Sequence, residues 1–362
     1  MEETKTKKSR GRRMLKFFVG ICAVIGFISA FLCAINPLIK PTFFVFSSYF
    51  GLGFWIILIL NLFILLVLLV LKAKKTRLFP IIALILAIPG FMNFYSVKKA
   101  STDEGNIKVM TYNVCQFRDI TSKEKKDGHT DIIEIIKNQN PDVVCLQESG
   151  RWSNKTAQDF AEKINCKYFA FNKNHYGNVM FSKYPFFTDE FTDQCNKNTA
   201  YLVRGVNAGG LGKFYFECVH LQSFMITDDE INYITAAKNY VEQSDTLGKS
   251  VIIKLKEGFK KRTEDIISLV DNLPDNGVPI VVCGDFNDTP QSYTYHRMRK
   301  AKMNDAFLKV GHGIGKTYCG KLPLLRIDYF WYSDNIVPMT FTRVKKKLSD
   351  HYPIIMTFNV TH

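Results

Sequence analysis

Three apolar blocks at the front of the chain limit what it can fold into. Leu15–Ile35 is an almost uninterrupted apolar run after a basic start, and Phe43–Leu71 and Leu78–Tyr95 follow with no charged residue in either. Each is long enough for one bilayer crossing. A cleaved signal peptide also begins basic and then apolar, but it is not followed by two further blocks of this length. The pattern predicts three spanning helices, the second longer than needed and either tilted or interfacial around Phe50–Phe54. The mean hydropathy of −0.03 hides this, because it averages a very apolar front with a polar remainder.

Orientation follows from the flanking cations. Lys5, Lys7, Lys8, Arg10, Arg12, Arg13 and Lys16 precede the first span, against only Glu2 and Glu3. The first loop offers Lys40, whereas the second holds Lys72, Lys74, Lys75 and Arg77. Lys98 and Lys99 weigh slightly the other way. The expected arrangement is a basic cytoplasmic tail (1–14), a three-helix transmembrane region (15–100) and an extracytoplasmic domain (101–362), in the plasma or inner membrane. The net charge of +15 suits a phosphate-bearing substrate or an anionic membrane surface equally.

Of the nine cysteines, Cys22 and Cys33 lie in the apolar front. The other seven show no metal-binding spacing, and an odd number cannot pair completely. Cys115, Cys145, Cys218 and Cys283 fall in or beside strand-like runs, so buried thiols and no disulfide framework are expected.

From Ile107 the pattern changes to short strands alternating with amphipathic helices. Strands are predicted at Ile107–Tyr112, Asp142–Leu146, Tyr168–Phe171, Asn178–Phe181, Tyr201–Val206, Lys213–Val219, Pro279–Cys283, Arg326–Tyr332 and Ile354–Asn359. Helices are predicted after the charged loop Lys123–Thr130, around Phe160–Ile164, over 229–243 and 249–273, and near Tyr293–Lys300. The helix over 249–273 is basic in the middle (Lys254, Lys256, Lys260, Lys261, Arg262), which reads as a solvated face.

Most of these strands end on polar residues: Asn113, Glu148, His220, Asp285 with Asn287, and Asp350 with His351. Asp328 adds a carboxylate inside an aromatic strand, costly if buried unpaired. One such end is an ordinary turn, because Asp and Asn favour turns. This many ends in one domain suggest convergence on one rim. Glu148 and Asp350 are hard oxygen ligands suited to Mg²⁺ or Mn²⁺. Asn113 can hydrogen-bond a ligand carboxylate, a metal water or a phosphate oxygen. Asp285 can orient or deprotonate a water, and Asn287 can hold that water or a phosphoryl oxygen. Asp328 is a candidate partner for His351, and such a pair favours an imidazolium that stabilises phosphate charge. His220 offers a second donor.

The motif series TYN at Asn113, LQES at Glu148, VHLQS at His220, GDFND at 284–288, RIDY at 326–329 and SDHYP at 349–353 resembles that of the endonuclease/exonuclease/phosphatase superfamily. It runs in the family's order across about 107–359, and Gly177–Ser182 with Tyr184-Pro185 is similar to a strand and turn common in the group. The resemblance implies an α/β fold: a four-layer α/β sandwich of two mixed sheets flanked by helices. It implies that Glu148 is the principal metal ligand, with Asn113 and Asp350 beside the metal. It implies water activation by Asp285, phosphate binding by Asn287, and a carboxylate–histidine pair in Asp328 and His351. His220 resembles the histidine of the deoxyribonuclease and sphingomyelinase branches. The expected activity is metal-dependent hydrolysis of a phosphoester: a lipid head group, a small phosphoester or, alternatively, nucleic acid. Membrane lipids are expected partners and no protein partner is predicted. A silent binding protein on the same fold is the remaining alternative.

Overall fold

The computed structural model describes residues 2–98, 103–119, 127–172, 177–187, 195–196, 199–235, 244–322 and 324–361. Part of the expected charged loop at Lys123–Thr130, and the expected helix beyond Thr235 up to residue 243, lie outside them. The chain divides into a helical unit, made of the residues up to Phe94 with Thr289–His296, and an α/β unit made of Tyr95–Asp288 and Arg297–His362.

The helical unit contains α1 (Glu2–Ile35), α2 (Phe46–Leu52), α3 (Phe54–Val70) and α4 (Leu78–Phe94). Among the described residues, two helices are long and apolar enough to cross a membrane, Arg10–Leu38 and Lys75–Phe94. The block expected to form one long second span is instead broken: α2 and α3 meet at an angle of 73° and make a third crossing only if the bent pair is one span. Gly53 stands at the break. The amide nitrogen of Asn61, inside α3, finds backbone partners, which apolar surroundings favour. Asn61 Nδ2 donates to Gly26 O at 3.1 Å and to Ile57 O at 2.9 Å.

The α/β unit opens with β1 (Tyr95–Ser96) and β2 (Ile107–Asn113), then α5 (His129–Gln139), β3 (Val143–Gln147), α6 (Asn154–Lys163), β4 (Tyr168–Phe171) and β5 (Val179–Ser182). Next come β6 (Cys195–Asn196), β7 (Thr199–Asn207), β8 (Lys213–His220), α7 (Asp228–Thr235), α8 (Ser244–Asp271) and β9 (Ile280–Asp285). After α9 (Tyr293–Lys300), whose first residues count with the helical unit, follow β10 (Asn304–Asp305), α10 (Ala306–Val310), β11 (Gly313–Ile314), β12 (Asp328–Tyr332), β13 (Ile336–Arg343) and β14 (Ile354–Val360).

Two six-stranded mixed sheets result, with strand orders β13-β14-β2-β3-β5-β4 and β10-β12-β9-β8-β7-β6. Each has one parallel pair near its centre, β2/β3 and β8/β9, with antiparallel strands outside it. The sheets pack face to face over a core that includes Val109, Val143, Met180, Phe216, Val281, Phe330 and Met356. The outer face of the first sheet is covered by the apolar side of α5 (Ile132, Ile135, Ile136) and of α6 (Ala157, Phe160, Ala161). The left-handed Asn140 before Pro141 ends α5, and Ser153 caps α6 through a reciprocal bond pair with Thr156.

β9 is buried along its whole length, which explains its unbroken apolar run: a central parallel strand is covered on both faces. Gly284 is required there, because it has φ +138° and a Cβ would lie 1.9 Å from Val219 O on β8. β13 escaped the sequence reading. It is an edge strand with two of its eight residues exposed, two buried and the rest half-buried, and with a register shift between Pro338 and Thr340, so its alternation is weak.

Two expectations need correction. Cys145 and Cys218 form a disulfide that ties β3 to β8 across the sandwich. An odd cysteine count forbids complete pairing but does not forbid one bridge. The basic run of α8 is not uniformly solvated either. Arg262 is fully buried, and Lys254 pairs at 2.8 Å with the buried Glu230.

Candidate active site

The strand ends predicted to converge do so, at one end of the sandwich. The two parallel pairs supply the centre: β2 ends on Asn113, β3 leads into Glu148, β8 ends on His220 and β9 on Asp285. His220 and Asp285 are register partners, and so are Asp285 and Asp328 on the next strand. Pairing places these groups side by side without help from any loop.

Asn113 is the organiser of the centre. Its buried amide Nδ2 donates to Glu148 Oε1 and to Asp285 Oδ2, each at 3.0 Å, and its Oδ1 accepts from Cys115 N at 3.1 Å. The amide thus bridges a carboxylate of each sheet. Glu148, in the left-handed region at φ 50°, keeps its side chain one-third exposed, whereas that of Asp285 is 1% exposed. His220 Nε2 lies 3.5 Å from Glu148 Oε1 and 3.9 Å from Asp285 Oδ2.

Behind Asp285 stands a buried relay. His351 Nε2 is 3.6 Å from Asp285 Oδ2, and its Nδ1 contacts Asp328 Oδ2 at 2.9 Å. Thr317 Oγ1 accepts from the backbone N–H of Ile327 and Asp328, which fixes the start of β12. Ser349 Oγ donates to Asn113 O at 2.7 Å and so ties the loop bearing His351 to the end of β2. Burial pushes the Asp285 carboxyl up to about 6, against the lowering effect of His351 and with a further raising effect from Asp328. Burial by itself would lower the His351 pKa, but the Asp328 and Asp285 carboxylates overcome it and hold the imidazole well above its usual range. The pair is therefore a buried carboxylate facing an imidazolium.

Asn287 takes a different place from the one its residue type suggested. Its Nδ2 donates to Leu221 O at 3.0 Å, and its N–H caps Asp285 Oδ1 at 2.8 Å, with φ 51°. Asp350 is half-buried, accepts from Ser349 Oγ at 3.2 Å, and belongs to neither of the two groups of donors that, among the described residues, are close enough to share an ion. Those groups are Glu148, His220 and Asp285, and Asp285, Asp328 and His351. The first fits a divalent cation better: two carboxylates held together by one amide repel each other, and one of them opens to solvent. The second already balances its charge internally.

The sequence did not single out Thr317, Ser349 or the disulfide as parts of this site. A readable signal existed for the bridge, since Cys145 and Cys218 each stand two residues before a strand end, on the same strand face as Gln147 and His220. Gln147 Nε2 indeed lies 3.0 Å from Cys145 Sγ and 3.3 Å from Cys218 Sγ.

The two-sheet sandwich thus carries an Asn–Glu–His–Asp centre backed by an Asp–His pair at one end. The chain belongs to the Endonuclease/Exonuclease/phosphatase family, whose model matches residues 110–351. Escherichia coli (strain K12) has a similar protein, the uncharacterized YbhP, 22% identical over 281 residues that span 70% of this chain and 96% of that one. Among solved structures, an endonuclease/exonuclease/phosphatase from Beutenbergia cavernae superposes with a TM-score of 0.51 at 17% identity, covering 71% of this chain and 72% of its own. A family protein from Leptotrichia buccalis gives 0.48 at 14% identity, covering 70% of this chain and 99% of its own. These likenesses concern the fold.

Proposed function

We propose that this protein is a membrane-anchored, divalent-metal-dependent hydrolase of phosphoester bonds, with its catalytic domain on the extracytoplasmic side. The observation that carries the chemistry is Asp285: a buried carboxylate with a pKa raised to about 6, facing His351 and joined to Glu148 through Asn113. A carboxyl tuned this way is ionised near neutrality yet basic enough to take a proton from water. Glu148, oriented by Asn113 and forming the open edge of the group it shares with His220 and Asp285, would hold Mg²⁺ or Mn²⁺. That ion supplies charge neutralisation for the phosphate and lowers the pKa of bound water. Asp285 orients the attacking water and accepts its proton. His351, kept cationic by Asp328, offers its charge to the phosphoryl oxygens, and His220 supplies a second donor on the other side of Asp285. Asn287 holds Asp285 in place through its backbone N–H.

The location reading rests on the flanking cations and on the bridge between Cys145 and Cys218, since such bonds persist in oxidising compartments. A lipid head group or another small phosphoester is the preferred substrate. Binding along a nucleic-acid strand calls for a row of free cations, and α8 offers fewer than its sequence promised: Lys254 is bound to Glu230 and Arg262 is buried.

The test is hydrolysis of bis-p-nitrophenyl phosphate with Mg²⁺ or Mn²⁺ by the wild type, Asp285→Ala and Glu148→Gln. Equal rates in all three sink the hydrolase reading. A panel of plasmid DNA, sphingomyelin-like lipids and inositol phosphates then separates the substrate classes. An alkaline phosphatase fused after Tyr95 should be active; an inactive fusion overturns the orientation.

A further inference from the structure

The buried face of α8 carries a charge that the reaction outlined above does not use. Arg262 Nε donates to Gln222 O at 3.0 Å, and its Nη1 lies 3.3 Å from Asp288 Oδ2. The guanidinium carbon sits 4.2 Å from the Phe224 ring centroid, and among the described residues neither Nη1 nor Nη2 makes a hydrogen bond, so the link to Asp288 is an ion pair. One turn further along α8, Asp265 Oδ2 accepts from Gln222 N at 3.1 Å. Positions three apart share a helix face, so one turn of α8 grips both the N–H and the C=O of Gln222.

Gln222 follows His220 by two residues, and Asp288 follows Asn287 directly. The two segments are also stitched to each other: Leu221 N donates to Asp285 O at 3.0 Å, and Asn287 Nδ2 donates to Leu221 O at 3.0 Å. The contacts form a closed circuit from α8 to 221–222, across to 285–288, and back to Arg262. A buried guanidinium with one carboxylate partner among the described residues is an expensive way to fill space, and an apolar side chain would pack there at lower cost.

We propose that Arg262 is a positioning residue of the active site. By holding Gln222 and Asp288 together it sets the reach of His220 towards Glu148 and the cap that Asn287 places on Asp285. What the clamp positions rests on the phosphoester-hydrolase reading; the existence of the clamp does not.

The experiment compares the full chain in detergent with Arg262→Met, Arg262→Lys and Asp288→Asn, by steady-state kinetics and by hydrogen exchange read by mass spectrometry. Arg262→Met keeps the stem and removes the donors. It should lower kcat about tenfold or more with KM changed less than about twofold, because sub-ångström misplacement acts on the reacting geometry. It should also move the pH profile and speed amide exchange in 219–224 and 285–290 while leaving α5 and α6 unchanged. Arg262→Lys should recover part of kcat by restoring the charge opposite Asp288. Adding Asp288→Asn to Arg262→Met should cost little more, since the two act as one unit. Unchanged exchange in both segments overturns the clamp. Faster exchange with an unchanged kcat and pH profile reduces Arg262 to a structural residue and overturns the positioning role. If the wild type hydrolyses no phosphoester, the proposed function fails, and the exchange data alone decide whether Arg262 joins the two segments.

Discussion

In the first sheet the parallel pair β2/β3 runs out at Asn113 and Glu148; in the second the pair β8/β9 runs out at His220 and Asp285. Behind the first sheet lie the apolar faces of α5 and α6. Behind the second lies α8 with Arg262 and Asp265, and β8 itself carries a buried acid, Glu217. The side-chain exposures at the rim follow the same division, one-third for Glu148 and 1% for Asp285. One sheet thus presents a carboxylate that solvent and a cation can reach. The other holds Asp285 and Glu217 where burial raises their proton affinities. The site works at the seam between the two, which Asn113 spans.

The most severe way to break this division is Asp285→Ala. We expect kcat to fall by about 10²–10⁴, with the thermal transition retained because a buried carboxylate is removed with its desolvation cost. A calorimetric scan run beside the kinetics separates lost chemistry from lost fold. On the first sheet, Glu148→Gln should weaken Mn²⁺ binding about tenfold or more, as read by electron paramagnetic resonance titration. If Asp285→Asn weakens it equally, the division of roles between Glu148 as the main metal ligand and Asp285 as the base is wrong.

The disulfide is a covalent cross-link between the two sheets. With 73 residues separating its cysteines, replacing both by alanine should cost about 4 kcal/mol of stability in the loop-closure account. That corresponds to a midpoint lower by roughly 10 °C, and a transition within a degree or two of the wild type would show that packing alone joins the sheets.

The pH profile should sharpen the contrast. Activity is expected to rise as Asp285 ionises near 6 and to fall on the alkaline side where His351 loses its proton, well above 6.5. Asp328→Asn removes the carboxylate that sustains the imidazolium, so the alkaline limb should move towards lower pH. An unmoved limb would assign that limb to another group.

The smallest effect concerns Glu217, whose carboxyl burial pushes up from 4.5 to about 8. A folded-state pKa above the unfolded one means that its contribution is fully present below 4.5 and is lost as pH rises through 8. Glu217→Gln stays neutral, so its transition should match the wild type near pH 4.5 and lie above it at pH 8. A constant offset across that range would mean the acid is not buried in the neutral form.

Much of the site could be read along the chain, because strand ends announce themselves where an apolar run meets a carboxylate, an amide or an imidazole. GDFND, RIDY and SDHYP were legible in that way, and β2, β3 and β9 fell within a residue or two of their predicted bounds. Asn287 and Arg262 were not. The residue type of Asn287 pointed outwards to a ligand, but its amide bonds to Leu221 O. Arg262 stood in a run of lysines that suggested water, but its face of α8 turns towards Gln222 and Asp288. Local pattern reports periodicity and polarity; it does not report which distant backbone atom a side chain will meet.

The sequence by itself determined the apolar front, the alternation that builds a mixed α/β sandwich, and the residue types at the strand ends. These depend on period, length and composition, which are local. Only the tertiary structure decided that Cys145 meets Cys218, that the second apolar block bends at Gly53, that Asn113 bridges carboxylates from opposite sheets, and that Asp285 rather than Glu148 is the buried acid. Each of these depends on burial or on a contact between residues far apart in the chain. Proton affinity and ligand choice follow from those contacts, because the dielectric around a carboxylate is set by the chains folded over it.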